Sequence, residues 1–168
     1  LNNLRALGCK KILYYDKKVR LDEGDSGQFK FAEKEEIYKM SDIISLHVPL
    51  DMKTKNMITI KEIKLMKKSA YLINTSRGGI INEEDLHKAL TDKLIAGAAI
   101  DTFEIEPYNG NLVENKNCLL TSHMGSMSID CRTQMEIEAT DEAVRFILDG
   151  RQESAVPEEE YAVQREGL

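Results

Sequence analysis

The 168-residue sequence contains no apolar run that approaches the ~20 residues needed for a membrane-spanning helix. Its amino terminus, LNNLRALGCKK, has neither the order nor the length of a signal peptide. The sequence therefore predicts a cytoplasmic protein with no membrane partner.

The sequence also lacks a surplus of basic residues. It has 23 Lys plus Arg against 29 Asp plus Glu, a net charge of −6, and its lysines are spread along the chain. Proteins that hold nucleic acid by neutralising phosphates instead cluster Lys and Arg on one face. Nucleic acid is therefore not an expected partner.

Cysteine is scarce, with three residues at positions 9, 118 and 131 and no C-x-x-C pair. An odd number of widely spaced cysteines predicts neither a disulfide framework nor a zinc site. We expect reduced thiols and no metal site.

Short runs rich in Ile, Leu and Val alternate with helical patterns, and the sequence shows no internal repeat. This alternation predicts an α/β fold in which helices cover the faces of a parallel sheet. Near-continuous apolar runs indicate strands buried on both sides. The predicted strands are 11–16, 42–48, 70–76, 95–102 and 118–122, with a weaker candidate at 28–32.

Two helices have clear start signals. Thr59 and Glu62 have the spacing of a capping box, flanked by the apolar pair Ile58 and Ile63, and predict a helix that runs to about residue 67. Asn82 can cap the next helix. The apolar positions of that helix are Leu86, Ala89, Leu90 and Leu94.

A long helix is predicted over 129–148, with Gly150 as its C-terminal stop. Residues 151–168 are polar and contain Pro157, which indicates a tail or linker. The predicted organisation is one domain over 1–150 followed by a tail over 151–168.

Ligands of open parallel sheets bind beyond the carboxyl ends of the strands, so the polar residues at those ends are the candidate site. Asp16 ends one predicted strand, and Arg77 and His123 each follow another. A further strand delivers Asp101 near its end, with Glu104 and Glu106 in the loop after it. Taken singly, these residues are more often a turn aspartate, a surface arginine, an acidic loop and a structural histidine.

Together, the residues that follow successive strands favour chemistry on an alcohol beside a carboxylate. The fork of Arg77 suits a carboxylate, and His123 can take or give the hydroxyl proton. A carboxylate such as Glu106 beside the imidazole favours its protonated form, which serves as the acid in the reductive direction. Hydride transfer then requires a cofactor.

The sequence resembles the D-isomer-specific 2-hydroxyacid dehydrogenases, a family that includes D-3-phosphoglycerate dehydrogenase. The resemblance covers about residues 1–150. It rests on His47-Val48-Pro49, Leu72-Ile73-Asn74-Thr75-Ser76-Arg77-Gly78, Gly97-Ala98-Ala99-Ile100-Asp101, Glu106-Pro107 and His123-Met124-Gly125-Ser126.

The resemblance implies a Rossmann-type doubly wound parallel sheet and NAD-linked interconversion of a D-2-hydroxy acid and a 2-oxo acid. It assigns substrate binding to Arg77, acid/base catalysis to His123 and the partner carboxylate to Glu106. An acid at position 16 favours NAD over NADP, because a 2′-phosphate would meet a like charge that Lys17 and Lys18 could only soften. The cofactor-binding residues that it implies are Asp16, Val48, Thr54, Thr75, Ser76, Arg77, Asp101, His123 and Gly125.

The sequence departs from the family pattern in two ways. Ser122 precedes His123 where the family commonly has proline, which predicts a less rigid turn. The first strand and the G-x-G-x-x-G loop are absent, because residues 1–8 resemble the helix that follows that loop. We therefore expect an N-terminally truncated cofactor domain that is inactive or nearly so by itself, and a homodimer in the full-length parent.

Two alternatives remain open from the sequence. One is an interaction module that senses NAD on the same scaffold, as in corepressors that resemble this family. Such a sensor needs only the cofactor cleft and has no use for Arg77, Glu106 and His123 together. The other is a flavodoxin-like nucleotide-binding domain without redox chemistry. The sequence does not specify which 2-hydroxy acid is the substrate.

Overall fold

The structure is a computed structural model that describes residues 4, 6, 8–17, 29–153 and 155. Lys18, Gln28 and most of the predicted tail lie outside the described residues. Of positions 1–8, Leu4 and Ala6 are helical. The strands are β1 (Ile12–Tyr14), β2 (Phe29–Phe31), β3 (Ile43–Leu46), β4 (Tyr71–Asn74), β5 (Gly97–Ile100) and β6 (Cys118–Leu120). The helices are α1 (Lys34–Met40), α2 (Ile60–Ile63), α3 (Glu83–Thr91) and α4 (Ile129–Asp149), with a 3-10 helix at Asn111–Glu114.

The strands form two parallel sheets. One pairs β1 with β2, and the other has the order β3-β4-β5-β6, with Ser45, Ile73, Ala99 and Leu119 aligned across it. The predicted α/β fold with a parallel sheet is confirmed. All six described strands are shorter than predicted. β4, for example, ends at Asn74 because the residues after it turn back onto the Asn74 side chain.

The core lies on one face of the four-stranded sheet. Ile44 and Leu72 are buried there and share a cluster with Ile63 of α2 and Leu86 of α3. On the other face, Ile43 is 61%, Tyr71 52% and Leu119 65% exposed. The prediction that these strands are buried on both sides was therefore wrong for this chain, because among the described helices α1, α2 and α3 contribute buried residues to one core and α4 contributes none.

The start of α2 is the predicted capping box. The backbone N–H of Thr59 donates to Glu62 over 2.9 Å, the Thr59 hydroxyl accepts from the N–H of Lys61, and Ile58 and Ile63 are fully buried. The prediction that this helix reaches residue 67 was wrong. It ends at Ile63, and the next residues form tighter i to i+3 hydrogen bonds such as Leu65 N–H to the Glu62 carbonyl.

Asn82 caps α3 as predicted, by accepting from the N–H of Asp85 over 3.0 Å. Leu94 lies beyond the end of α3 at Thr91. The predicted long helix is confirmed as α4, which Gly150 ends with a φ of 66°. Within the described ranges, no helix has both the length and the apolar character to cross a membrane.

Candidate active site

Three adjacent strands deliver the candidate catalytic residues to one edge of the sheet. The loops that follow β4, β5 and β6 carry Arg77, Glu106 and His123 respectively. Backbone hydrogen bonds continue beyond the strand ends, from Asp101 N–H to the Asn74 carbonyl (2.9 Å) and from His123 N–H to the Asp101 carbonyl (2.8 Å). The three loops therefore leave the sheet side by side.

His123 and Glu106 are in direct contact. The imidazole Nδ1 lies 3.1 and 3.2 Å from the two carboxylate oxygens, and both side chains are partly exposed. The backbone N–H of Phe103 also donates to Glu106 over 3.0 Å. This backbone hydrogen bond, followed by the bond to His123, holds the pKa of Glu106 below its ordinary value. Glu106 is therefore a carboxylate that orients the imidazole through Nδ1.

The turn that presents His123 is organised by the buried carboxylate of Asp101. His123 has a φ of 55°, a left-handed conformation that a non-glycine residue adopts only with support. Asp101 accepts from the N–H groups of Met124 (2.8 Å) and Gly125 (3.0 Å) and from the Thr121 hydroxyl. Burial alone raises the pKa of Asp101, but these hydrogen bonds outweigh it and hold the pKa below its ordinary value. The Asp101 carboxylate thus fixes the turn that carries Ser122 and His123.

Arg77 lies in the neighbouring loop, and its guanidinium donates to the carbonyl of Ser76 over 2.7 Å. In the described part of the chain, no hydrogen bond or ion pair joins Arg77 to Glu106 or His123. Gly78 brings the two loops together, because a Cβ at this position would lie 2.0 Å from the backbone carbonyl of Phe103. The structure therefore brings His123 and Glu106 into contact and places the Arg77 loop against the loop that carries Glu106.

The other five predicted cofactor-binding residues fall into two groups. Asp16, Val48 and Thr75 follow β1, β3 and β4 and are exposed or half-buried. Two others are already engaged within the chain. The buried Thr54 hydroxyl donates to the Pro49 carbonyl and accepts from the N–H of Asp51, and the Ser76 hydroxyl donates to Asn74.

The residues of the first group have the chemical character that dinucleotide binding requires. An acid after β1 suits ribose hydroxyls, and the half-buried Val48 offers an apolar surface at the same edge of the strands. Lys17 is paired with Asp51 at 3.3 Å, so a cationic side chain next to Asp16 is already neutralised by another acid. Among the described residues, no cluster of His, Cys, Asp and Glu has the geometry of a metal site.

The other two histidines have partners of their own. His47 Nε2 lies 2.8 Å from the Ser45 hydroxyl, and His87 Nδ1 lies 2.8 Å from the Asn115 side-chain oxygen. Within the described ranges, neither histidine forms an ion pair with a carboxylate. His123 is therefore the histidine that has the environment of an acid/base group.

Sequence reasoning missed the role of Asn74 in holding the site, and it gave Asp101 only a role in cofactor binding. Asn74 is 1% exposed and accepts hydrogen bonds from the turn that follows its own strand, β4. Asp101 is 4% exposed and accepts hydrogen bonds from the turn that follows the neighbouring strand, β6. The available signal was a polar residue at the end of an apolar strand, because a buried amide or carboxylate requires partners nearby.

A parallel α/β sheet with an imidazole–carboxylate pair at its carboxyl edge is an arrangement suited to a cofactor-dependent dehydrogenase. The model of one family matches residues 1–125, and that family is described as "D-isomer specific 2-hydroxyacid dehydrogenase, NAD binding domain". The chain belongs to this family, and NAD is the cofactor of the family domain. The resemblance drawn from the motifs is thereby confirmed.

Relatives and solved structures agree with the family. The chain is 44% identical over 126 residues to a glyoxylate reductase of Thermococcus litoralis, covering 74% of this chain and 38% of the relative. It is 36% identical over 151 residues to D-3-phosphoglycerate dehydrogenase of Escherichia coli (strain K12), covering 86% and 36%. A crystal structure of a glyoxylate reductase from Paecilomyes thermophila superposes with a TM-score of 0.84 at 29% identity, covering 94% and 48%. The chain thus spans about two fifths of the length of the curated relatives it matches.

Proposed function

We propose that this chain supplies the cofactor domain and the acid/base group of an NAD-dependent dehydrogenase that interconverts a D-2-hydroxy acid and a 2-oxo acid. The observation that carries the proposal is the 3.1 Å contact between His123 Nδ1 and Glu106, at the carboxyl edge of a parallel sheet. With Nδ1 held by the carboxylate, Nε2 is the ring nitrogen left to face a substrate oxygen.

In the reductive direction, His123 gives a proton from Nε2 to the carbonyl oxygen of the 2-oxo acid. In the oxidative direction, the neutral ring takes the hydroxyl proton. A nicotinamide cofactor held in the cleft would supply the hydride to C2 of the 2-oxo acid, or accept it from C2 of the 2-hydroxy acid. Glu106 remains a carboxylate throughout and stabilises the imidazolium through Nδ1.

We assign Arg77 to the substrate carboxylate. Its guanidinium is exposed after β4, and among the described residues its hydrogen bond to the Ser76 carbonyl uses one of its donors. A planar fork of N–H groups grips a carboxylate with two parallel hydrogen bonds and also favours negative charge on the adjacent oxygen of the substrate.

The cofactor contacts that we propose are Asp16 on the adenosine ribose and an apolar contact from Val48, with Thr54, Thr75, Ser76, Arg77, Asp101, His123 and Gly125 along the cleft. Exposure supports Asp16 and Thr75 as direct contacts. The internal hydrogen bonds of Thr54 and Asp101 support an indirect role, in which they shape the loops that face the cofactor.

The substrate class is tested on the complete protein that contains these 168 residues. Purified enzyme is assayed with NADH and glyoxylate, and with NAD⁺ and D-3-phosphoglycerate or D-lactate. We expect turnover of at least one D-2-hydroxy or 2-oxo acid. Absence of activity with every such acid contradicts the proposal.

The acid/base group is tested by His123→Ala, which we expect to lower kcat about 10²- to 10⁴-fold because a positioned proton donor is lost. The matched control is His87→Ala, which removes a histidine that is hydrogen-bonded to Asn115 outside the site. Unchanged turnover in His123→Ala assigns the proton transfer to another residue.

Arg77→Lys is expected to raise KM for the acid, because lysine cannot form the two parallel hydrogen bonds that arginine forms with a carboxylate.

The domain bounds, the oligomeric state and the cellular location are proposed from the sequence. We propose that residues 1–150 act as the cofactor-domain portion, and that the active protein is a cytoplasmic homodimer. By itself the 168-residue chain is expected to be inactive or nearly so, and hydride transfer at a normal rate by this chain contradicts that expectation. The NAD-sensing alternative gains no support from the contact between His123 and Glu106, which cofactor binding alone does not require.

A further inference from the structure

Asn74 is the last residue of β4 and the most deeply buried polar side chain near the site, with 1% of its surface exposed. Its side chain makes three hydrogen bonds, all to the turn that follows. The oxygen accepts from the N–H (3.1 Å) and the hydroxyl (2.8 Å) of Ser76, and the amide nitrogen donates to the Arg77 carbonyl (2.9 Å). The amide thus spans the turn that presents Arg77.

The backbone of Asn74 is itself fixed to the next strand. Its carbonyl accepts from the N–H of Asp101 over 2.9 Å, at the point where β5 leads into the loop of Glu106. On the far side of Arg77, Gly78 packs against the backbone of Phe103 and Glu104 with no room for a Cβ. The Arg77 turn is therefore held on both sides, by the Asn74 side chain and by the contact at Gly78.

Arg77 has no comparable support for its own side chain. The side chain is exposed, and its one described hydrogen bond is to the carbonyl of the preceding residue. The position of the guanidinium is therefore decided by the backbone turn rather than by packing around the side chain.

We propose that Asn74 is a positioning residue that fixes the Arg77 turn, so that the guanidinium is held where it can bind the carboxylate of a 2-oxo acid. The assignment rests on the proposed function of Arg77. It requires both ends of the amide, because the oxygen holds Ser76 and the nitrogen holds Arg77.

The test is a double-mutant cycle in the complete protein, with NADH and the 2-oxo acid that the wild type reduces. Asn74→Asp keeps the size of the side chain but puts a carboxylate oxygen against the Arg77 carbonyl. Asn74→Ser keeps a small polar group and breaks the span. Each is made in the wild type and in Arg77→Ala. Asn117→Asp is the matched control, since its amide also donates to a backbone carbonyl, that of Ala96.

In the wild-type background, we expect each Asn74 variant to raise KM for the acid about tenfold, with a smaller change in kcat. In Arg77→Ala, the same variants should change KM less than twofold, because the residue that they position is gone. Asn117→Asp should leave KM unchanged.

An equal effect of the Asn74 variants in both backgrounds overturns the proposal, as does an unchanged KM in the wild-type background. Failure of both variants to fold also overturns it, since Asn74 would then be required for folding. The proposed function fails separately, if the wild type reduces no 2-oxo acid or if Arg77→Ala by itself leaves KM unchanged.

Discussion

Single buried polar residues hold the candidate site together. Asp101 is 4% exposed, and its carboxylate accepts from the Thr121 hydroxyl and from two backbone N–H groups of the turn that carries His123. A buried carboxylate with several donors is stable as the anion. The conformation of a candidate catalytic histidine is therefore linked to the ionisation of a residue that does not touch its ring.

We predict that Asp101→Asn lowers the free energy of unfolding of the chain by about 1–3 kcal/mol. The substitution replaces one carboxylate oxygen by an NH₂ group, so the backbone N–H that donated to that oxygen loses its acceptor. Urea unfolding at neutral pH measures this. The exposed Asp141→Asn on α4 is the control and should change stability little.

Asp101 also predicts how stability depends on pH. Its pKa in the folded chain lies below the ordinary value of 3.8, so the unfolded chain binds the proton more readily. The stabilisation is complete above pH 3.8 and is lost as the pH falls through the lower, native pKa. Urea unfolding across this range should show a steeper acid loss in the wild type than in Asp101→Asn. Equal slopes would contradict this prediction.

At the scale of elements, short helices and strands depend on local hydrogen bonds at their ends. α2 has four residues, and its start is held by the capping box and by Asp85 of α3, which accepts from the Ile60 N–H over 2.9 Å. A helix of this length gains little from its own hydrogen bonds. Its position therefore depends on the cap and on the burial of Ile63.

We predict that Thr59→Ala lowers the free energy of unfolding by about 1 kcal/mol, because the N–H of Lys61 loses its acceptor and Glu62 loses its hydroxyl donor. Denaturant unfolding measures the loss. The control is Thr140→Ala in the exposed α4, where the hydroxyl donates to the Glu136 carbonyl and caps nothing. Equal losses in the two variants would show that the cap contributes nothing beyond a threonine hydroxyl.

At the scale of the whole molecule, the core is one-sided. The buried residues of β3, β4 and β5 share one cluster with those of α1, α2 and α3. On the opposite sheet face Ile43, Tyr71 and Leu119 are exposed, and no described residue of α4 is buried. Stability of the 168-residue chain is therefore concentrated in residues on one side of the sheet.

We predict that Leu72→Ala lowers the free energy of unfolding by about 2–5 kcal/mol, because it leaves a cavity at a fully buried position. Leu119→Ala makes the same chemical change at a position that is 65% exposed and should cost less than about 0.5 kcal/mol. Urea unfolding of the 168-residue chain compares the two. A large loss in Leu119→Ala would mean that the open face is covered in solution.

The sequence by itself determined the elements and the identity of the family. Apolar runs of strand length, the Thr59 capping box, the Asn82 cap and Gly150 are local signals, and each acts within a few residues. The motifs around Arg77, Glu106 and His123 are local too, because each motif lies in the loop immediately after a strand. Local chemistry of this kind can be read without knowing what packs against it.

Only the tertiary structure decided which strand face is buried, where the strands and α2 stop, and what holds the site. In β3, Ile43 is exposed and Ile44 is buried although the two side chains are equally apolar. Which of them is buried depends on where the helices of the core pack. The hydrogen bonds of Asp101 to Thr121, Met124 and Gly125 join residues 20 or more positions apart. Contacts between distant segments arise only when adjacent parallel strands bring their ends together, so sequence spacing carries no record of them.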